Sequence, residues 1–319
     1  MSDILIACLF PTMLLYLAFR LSLFDKDILY SIWTDFLSLF QRSGKHKING
    51  PFSIGTSAAA YAHYRSFSLD ELARMRASYS SIGRTHKRIG YDIGYPRKLD
   101  RLAETIQVNA RVTDGVAAVM KRVYSKELST TTFTTQLWPS PRSYESPAAD
   151  SRSLPRIREA LKHFVRDWSD AGASERSIIF EPILSALSST NSSSSRRAKR
   201  VLVPGSGLGR LAYEISQLGF DTTACELSGY MNGAFHFLLD PEMTRSANQH
   251  EIHPYAHWWS HSRSIKDLFR TVKFPDVVPR LAEGEGAGLH LKEEDFLMLG
   301  PPEVSDSGKE REMMDTTTS

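Results

Sequence analysis

The sequence predicts an α/β fold, a parallel doubly wound sheet preceded by a helical N-terminal region. Three observations predict it. Residues 201–204 (VLVP) form an apolar run of buried-strand length. Gly205-Ser206-Gly207-Leu208-Gly209 follows directly, and an apolar stripe at helical spacing (Leu208, Leu211, Ala212, Ile215, Leu218) then closes at Gly219. A second strand-like stretch, residues 222–225, ends on Glu226, 17 residues after the last glycine of the turn. Strand, glycine turn, helix, strand and acid is the order that holds a nucleotide or nucleoside at the carboxyl ends of parallel strands.

The glycines let backbone approach a ligand without interference from Cβ. The helix beyond them offers unpaired amides and the positive end of a dipole. Glu226 stands where an acid accepts hydrogen bonds from ribose hydroxyls. The dinucleotide fingerprint is G-x-G-x-x-G, but here the third glycine comes one residue early. G-x-G-x-G is the usual first motif of S-adenosylmethionine-dependent methyltransferases, whose cofactor has no phosphate. The spacing therefore leans towards a methyl donor rather than NAD.

The helical region is read over residues 57–124. Ser68-Leu69-Asp70-Glu71 has the form of a capping box, which places a helix start at Ser68. Leu69, Leu72, Met75 and Tyr79 then recur at helical spacing, and Leu99, Leu102, Ala103, Ile106 and Ala110 form a second stripe. Residues 125–153, rich in Ser, Thr and Pro, read as a linker. A strong helix follows. Pro155 suits its first turn, Ile157, Leu161, Phe164, Val165 and Trp168 make one apolar face, and Gly172 punctuates its end. His163 and Arg166 lie off that face, three apart, and are neighbours on another. A further short helix is expected over residues 178–187. Residues 188–195 (SSTNSSSS) are low-complexity, and the basic run 196–200 reads as a solvated lead into the first strand or as a nuclear-import signal.

Of the 319 residues, 41% are hydrophobic and 24% charged, which excludes a disordered polymer, a collagen and a multi-span membrane protein. The net charge of +3 is too near balance to argue for nucleic acid, although residues 283–319 carry −7 and the remainder +10. Two cysteines, Cys8 and Cys225, give no disulfide framework and no zinc set, and favour a reducing compartment. Residues 4–19 are uncharged and mostly apolar. A spanning helix needs about 20 such residues. Extending to residue 24 reaches that length, so residues 4–24 are a candidate membrane anchor, against a buried helix or a mistaken start. Four histidines, His250, His253, His257 and His261, fall within twelve residues, but Pro254 breaks their helical spacing and no carboxylate or cysteine set accompanies them. No metal site is expected there, and Trp258 and Trp259 are expected to pack.

Several segments together go beyond a general methyltransferase pattern. His163-Phe164-Val165-Arg166-Asp167-Trp168-Ser169, Glu175-Arg176 and Pro182-Ile183-Leu184 precede the glycine motif, Val203-Pro204-Gly205-Ser206-Gly207-Leu208-Gly209-Arg210-Leu211-Ala212-Tyr213-Glu214-Ile215. Glu226-Leu227-Ser228 with Met231, His253-Pro254-Tyr255-Ala256-His257, Phe274-Pro275-Asp276-Val277-Val278-Pro279 and Glu294-Asp295-Phe296 follow. The combination resembles the carnosine N-methyltransferase (N2227-like) family over about residues 57–124 and 154–299.

The resemblance implies a Rossmann-like class I methyltransferase fold, S-adenosyl-L-methionine as cofactor, and methyl transfer to the imidazole of carnosine, giving anserine. It implies that Arg166 binds the cofactor, as a partner for its carboxylate. His163 stands where the family usually has glutamine. Gly205, Gly207 and Gly209 would line the methionine side, and Glu226 would hold the ribose hydroxyls. Asp295 would accept from the adenine amino group, with Phe296 alongside the ring. The implied partner is a small imidazole dipeptide, with no nucleic acid.

A sheet of that class has seven strands. From residue 201 the sequence offers three, at 201–204, 222–226 and about 288–292. The expectation is an incomplete fold, about three of seven strands, with one flank of the first strand uncovered. No catalytic or carnosine-binding residue is placed, and the alternative function is a truncated, non-catalytic cofactor-binding or interaction protein. The expected organisation is an apolar segment (1–30), a helical subdomain (57–124), a linker (125–153), the N-terminal part of a methyltransferase domain (154–300) and a polar tail (301–319). The expected location is cytoplasmic or nuclear, with membrane anchoring through residues 4–24 as the alternative.

Overall fold

A computed structural model describes residues 52–128, 151–190, 192–282 and 288–299. The candidate anchor, most of the linker and the polar tail lie outside these residues. Among those described, no helix is long and apolar enough to cross a membrane.

The described residues begin with three helices, α1 (Ile54–Ser81), α2 (Arg84–Asp92) and α3 (Tyr95–Val123). Ser53 caps α1, its Oγ accepting from the Thr56 amide at 3.2 Å. The capping box at Ser68 therefore does not start a helix. Ser68 is fully buried in the middle of α1, between Tyr64 and Leu72 on the buried face, and Glu71 pairs with Arg158 instead. Tertiary packing of a helix already nucleated at Ser53 overrides the local signal. The second stripe behaves as read: Leu99, Leu102, Ile106 and Ala110 are buried on α3, which starts after Gly94 with Pro96 in its first turn.

A 3₁₀ turn (Ser151–Ser153) leads into α4 (Leu154–Trp168), followed by α5 (Ala173–Thr190) and the single-turn α6 (Ser193–Arg196). The predicted face of α4 is buried throughout, from Ile157 to Trp168. The helix stops at Trp168 rather than at Gly172, which sits in a 3₁₀ turn (Asp170–Gly172) against the carbonyls of Val165 and Arg166. From the basic run, Arg196 donates to the carbonyls of Leu218 and Ser188, and Arg200 is the first residue of the next strand.

That strand is β1 (Arg200–Pro204), and α7 (Arg210–Gln217), β2 (Asp221–Cys225) and α8 (Gly229–Leu239) follow. Then come β3 (His250–Ile252), the short α9 (Ile265–Leu268), β4 (Val272–Phe274) and β5 (Gly288–Lys292). β1, β2 and β5 form a parallel sheet in the order β1-β2-β5, with Val203 opposite Ala224 and Cys225 opposite Lys292. The three predicted strands are all present. β3 and β4, for which the sequence offers no signal, form a separate antiparallel pair outside that sheet, Ile252 opposite Val272. Three residues each are too few for alternation to register in a sequence. Among the described residues no strand pairs with the outer side of β1, and Leu202 on that strand is 45% exposed.

One hydrophobic core runs through both the helices and the sheet. It includes Tyr61 and Tyr64 on α1, Ile106 and Met120 on α3, Phe164 and Trp168 on α4, Ala224 on β2, Phe235 on α8 and Phe274 on β4. Polar bonds fix the helical layer to the rest. Tyr61 donates to the Tyr230 carbonyl at 2.8 Å, and the Asn109 amide both donates to the His253 carbonyl (3.1 Å) and accepts from its N–H (2.7 Å).

The described imidazoles of the histidine cluster face different elements. His250 meets the Thr244 hydroxyl, His253 the Phe269 carbonyl, and His257 Arg158 and Tyr64. Among the described residues no group of His, Cys, Asp or Glu is placed to hold a metal ion. Trp259 packs edge-on against Tyr95, and Trp258 lies under the Lys162 ammonium.

Candidate cofactor site

His163, Arg166, Gly205, Gly207, Gly209 and Glu226 lie together where β1 and β2 end. Gly205, Gly207 and Gly209 have φ of +61°, +58° and +73°, the left-handed region that favours glycine. The turn is tied back to the sheet by the Ser206 amide, which donates to the Cys225 carbonyl at 3.0 Å. A Cβ on Gly205 would meet nothing within 4 Å. One on Gly207 would meet only Asp167 Oδ2 at 3.9 Å and His163 Nδ1 at 4.0 Å. Space is thus left in front of these two glycines. Gly209 differs, since a Cβ there would lie 2.5 Å from the Phe235 ring. Its glycine is demanded by packing against α8 and by the sharp entry into α7.

Glu226 closes the turn from the β2 side. Its Oε2 accepts the Gly207 amide at 2.9 Å, and its Oε1 accepts the amides of Leu227 (2.9 Å) and Ser228 (2.8 Å). A carboxylate offers about four lone-pair sites, so acceptor capacity remains.

α4 supplies the opposite wall. Arg166 donates from Nε to Asp167 Oδ1 at 2.6 Å and from Nη2 to Oδ2 at 3.1 Å, and its Nη2 lies 2.8 Å from His163 Nδ1. The predicted neighbour relation of His163 and Arg166 is therefore a direct contact. The Asp167 hydrogen bonds raise the Arg166 pKa above its ordinary value. Burial pushes the Asp167 carboxyl upward, but hydrogen bonds from His163 and Arg166 outweigh it and hold the pKa below the ordinary value. Arg166 is 42% exposed, and its Nη1 makes no hydrogen bond among the described residues. Half-exposed, charged and steered by a buried acid, it can accept an anionic ligand.

Asp295 and Phe296 follow β5. The Glu226 amide donates to the Lys292 carbonyl at 3.0 Å and Cys225 Sγ lies 3.3 Å from the Glu294 carbonyl, so this segment borders the end of β2. Asp295 Oδ1 accepts the Leu297 amide at 3.0 Å, and Phe296 is 45% exposed. The structure thus gathers His163, Arg166, Gly207 and Glu226 by direct contact or near approach, with Gly205 beside them. It sets Asp295 and Phe296 at the neighbouring strand end.

Three participants were given no role from sequence. Asp167, next to Arg166 and four residues from His163, is a buried acid on α4, and its signals in the sequence are that position and its place in the segment that carries the family resemblance. Among the described residues, Ser206 Oγ at the turn and Asn232 Oδ1 on α8 are buried without hydrogen-bond partners. An open space before two left-handed glycines, an acid with spare acceptor capacity and an arginine with a spare donor suit a small ligand that carries hydroxyl and anionic groups.

Fold and site together define a parallel α/β protein with a glycine-turn site at the carboxyl ends of its strands. Comparison with known proteins narrows that class. The carnosine N-methyltransferase family profile matches residues 144–315, over half of the chain, and the chain belongs to that family. It is 28% identical over 255 residues to the carnosine N-methyltransferase of Schizosaccharomyces pombe, covering 78% of this chain and 64% of the relative. The Mus musculus carnosine N-methyltransferase is 34% identical over 133 residues, 41% of this chain and 33% of its own. The Dictyostelium discoideum carnosine N-methyltransferase is 29% identical over 187 residues, 58% of this chain and 40% of its own. The chain thus spans less than two thirds of the length of the curated relatives it matches.

Proposed function

We propose that the chain binds S-adenosyl-L-methionine at the ends of β1 and β2 and transfers its methyl group to the imidazole of a carnosine-like dipeptide. The observation that carries this reading is the Gly207 amide bonded to the Glu226 carboxylate before an open glycine turn. On this reading the order β1-β2-β5 is one side of a class I methyltransferase sheet. The helices of residues 57–124 form its supporting layer, and residues 154–300 belong to the catalytic domain.

Arg166, held by Asp167, would pair with the methionine carboxylate through its Nη1, with His163 beside it. Gly205 and Gly207 admit the methionine chain to the backbone. Gly209 shapes the turn by packing on Phe235. Glu226 takes ribose hydroxyls on the capacity its three amide bonds leave. Asp295 and Phe296 serve the adenine, by hydrogen bond and ring contact. The cofactor itself supplies an electrophilic methyl group on a sulfonium. The protein's task is to align a neutral imidazole nitrogen with that methyl and to exclude water, so little acid–base chemistry is required.

Calorimetric titration of S-adenosylmethionine into the purified chain, then an assay with carnosine, tests both parts. Saturable micromolar binding with transfer to the imidazole is the expected result. Binding without transfer would favour a non-catalytic cofactor-binding protein. A well-folded chain that does not bind would overturn the cofactor reading.

A further inference from the structure

An α-helix leaves its last four carbonyls without partners inside the helix. In α4 these belong to Val165, Arg166, Asp167 and Trp168. All four are bonded, by groups from four places in the chain. Ser169 Oγ donates to Val165 O at 2.6 Å, Arg176 Nη1 to Arg166 O at 2.8 Å, Arg210 Nη1 to Asp167 O at 3.2 Å, and the Asp276 amide to Trp168 O at 3.0 Å.

The last three converge on one carboxylate. Asp276 Oδ2 accepts from Arg176 Nη2 at 2.6 Å, and Oδ1 accepts from Arg210 Nη1 at 2.5 Å and from the Val277 amide at 3.0 Å. The three side chains are 6–11% exposed. Arg210 is also bonded to Glu214 at 2.7 Å and lies over the Trp168 ring. Its position matters, because Arg210 is the first residue of α7, directly after the glycine turn. Arg176 likewise donates to the Ser169 carbonyl at 2.7 Å, just beyond the helix that carries His163 and Arg166. Two cations at a helix C-terminus also complement its dipole. Three sequence segments with no obvious common purpose, around Arg176, Arg210 and Asp276, thus meet at one point behind the candidate site.

We propose that Asp276 is a positioning residue for the cofactor site: through Arg176 and Arg210 it holds the end of the Arg166-bearing helix α4 against the glycine turn. The inference rests on the cofactor reading above and adds what sets the spacing between its two walls. Asp276 bonds neither Arg166 nor Gly207, so it acts through the two arginines. Without its charge, Arg176 and Arg210 face one another with no shared counter-ion, and the bonds to Arg166 O and Asp167 O lose their anchor.

The test is Asp276→Asn in the full chain, with affinity and stoichiometry for S-adenosylhomocysteine measured by calorimetry beside the unsubstituted protein. That ligand needs no turnover. The expected result is at least tenfold weaker binding at unchanged stoichiometry, with Asp276→Glu recovering part of it. A merely structural role would lower the fraction of competent molecules and leave the dissociation constant alone, and that result would overturn the proposal. If Asp276→Asn does not fold, Arg210→Lys is measured instead. It keeps a charge opposite Asp276 but replaces the planar fork that spans Glu214, Asp276 and the Asp167 carbonyl with one compact ammonium. Weaker binding supports the proposal and equal affinity overturns it. Failure of the unsubstituted protein to bind would sink the cofactor reading, and this inference with it, before any variant is compared.

Discussion

The Gly207 amide donates to Glu226 Oε2 at 2.9 Å, joining the turn after β1 to the end of β2 across 19 residues of chain. One carboxylate thus shapes the glycine turn and keeps acceptor capacity beside it. The other oxygen, Oε1, takes the Leu227 and Ser228 amides, so Glu226 also organises the entry into α8.

Glu226→Ala removes an acceptor from three backbone amides and from the proposed ribose contact. A hydrogen bond to a charged group contributes about 1.5–3 kcal/mol, which is about 10- to 150-fold in affinity. Calorimetry should show S-adenosylmethionine binding weakened by such a factor. Unchanged affinity in a folded variant would show that the acid does not serve the ligand.

The glycines of the turn should separate into two kinds. Gly209→Ala puts a Cβ into the Phe235 ring at a left-handed φ. Overpacking costs about 1–3 kcal/mol, and left-handed backbone about 1–2 kcal/mol more, so the melting temperature should fall clearly. Gly205→Ala meets open space and bears only the backbone cost, about 1–2 kcal/mol. Its main effect should appear in ligand affinity. Equal melting temperatures for the two variants would contradict this assignment.

Stability should fall with pH earlier than carboxylates alone would cause. Burial, then the Arg158 charge, lower the His257 pKa to about 3 from 6.5. Below about pH 6.5 the unfolded chain takes up a proton that the folded protein refuses until about pH 3. The unfolded state then holds more protons, so stability drops as pH falls through that window. The loss is on the order of 3–5 kcal/mol across the whole window. Urea unfolding at pH 7.5 and 5 should reveal it, and His257→Gln should flatten the slope. A slope unaltered by that substitution would place the effect elsewhere.

Trp168 Nε1 donates to the Leu208 carbonyl at 2.8 Å, fastening α4 to the glycine turn. Trp168→Phe keeps a ring there but leaves a carbonyl of the fully buried Leu208 without its donor. A loss of about 1–3 kcal/mol is expected from denaturant unfolding. A Phe variant as stable as the parent would mean that the bond contributes nothing net.

Much of the fold could be read along the chain because its signals are local. β1, the glycine turn, α7 and β2 are contiguous, and the apolar face of α4 repeats at helical spacing. His163 and Arg166 are neighbours simply because they share a helix face. The same local reading failed at Ser68, where a correct capping pattern lies inside a helix that Ser53 had already begun. It was blind to β3 and β4, whose partners lie twenty-odd residues apart and whose pattern is three residues long.

The order of residues was enough to set the glycine turn, the acid after β2 and the helix bearing Arg166, since each depends on near neighbours and on backbone geometry. Tertiary structure alone decided that Asp167 holds Arg166 beside His163 at the candidate site, that Gly209 serves Phe235, and that Asp276 gathers Arg176 and Arg210 behind it. Asp276 is 100 residues from one arginine and 66 from the other. A charge finds its counter-charge through space, and no spacing along the chain encodes which of 39 basic residues that will be.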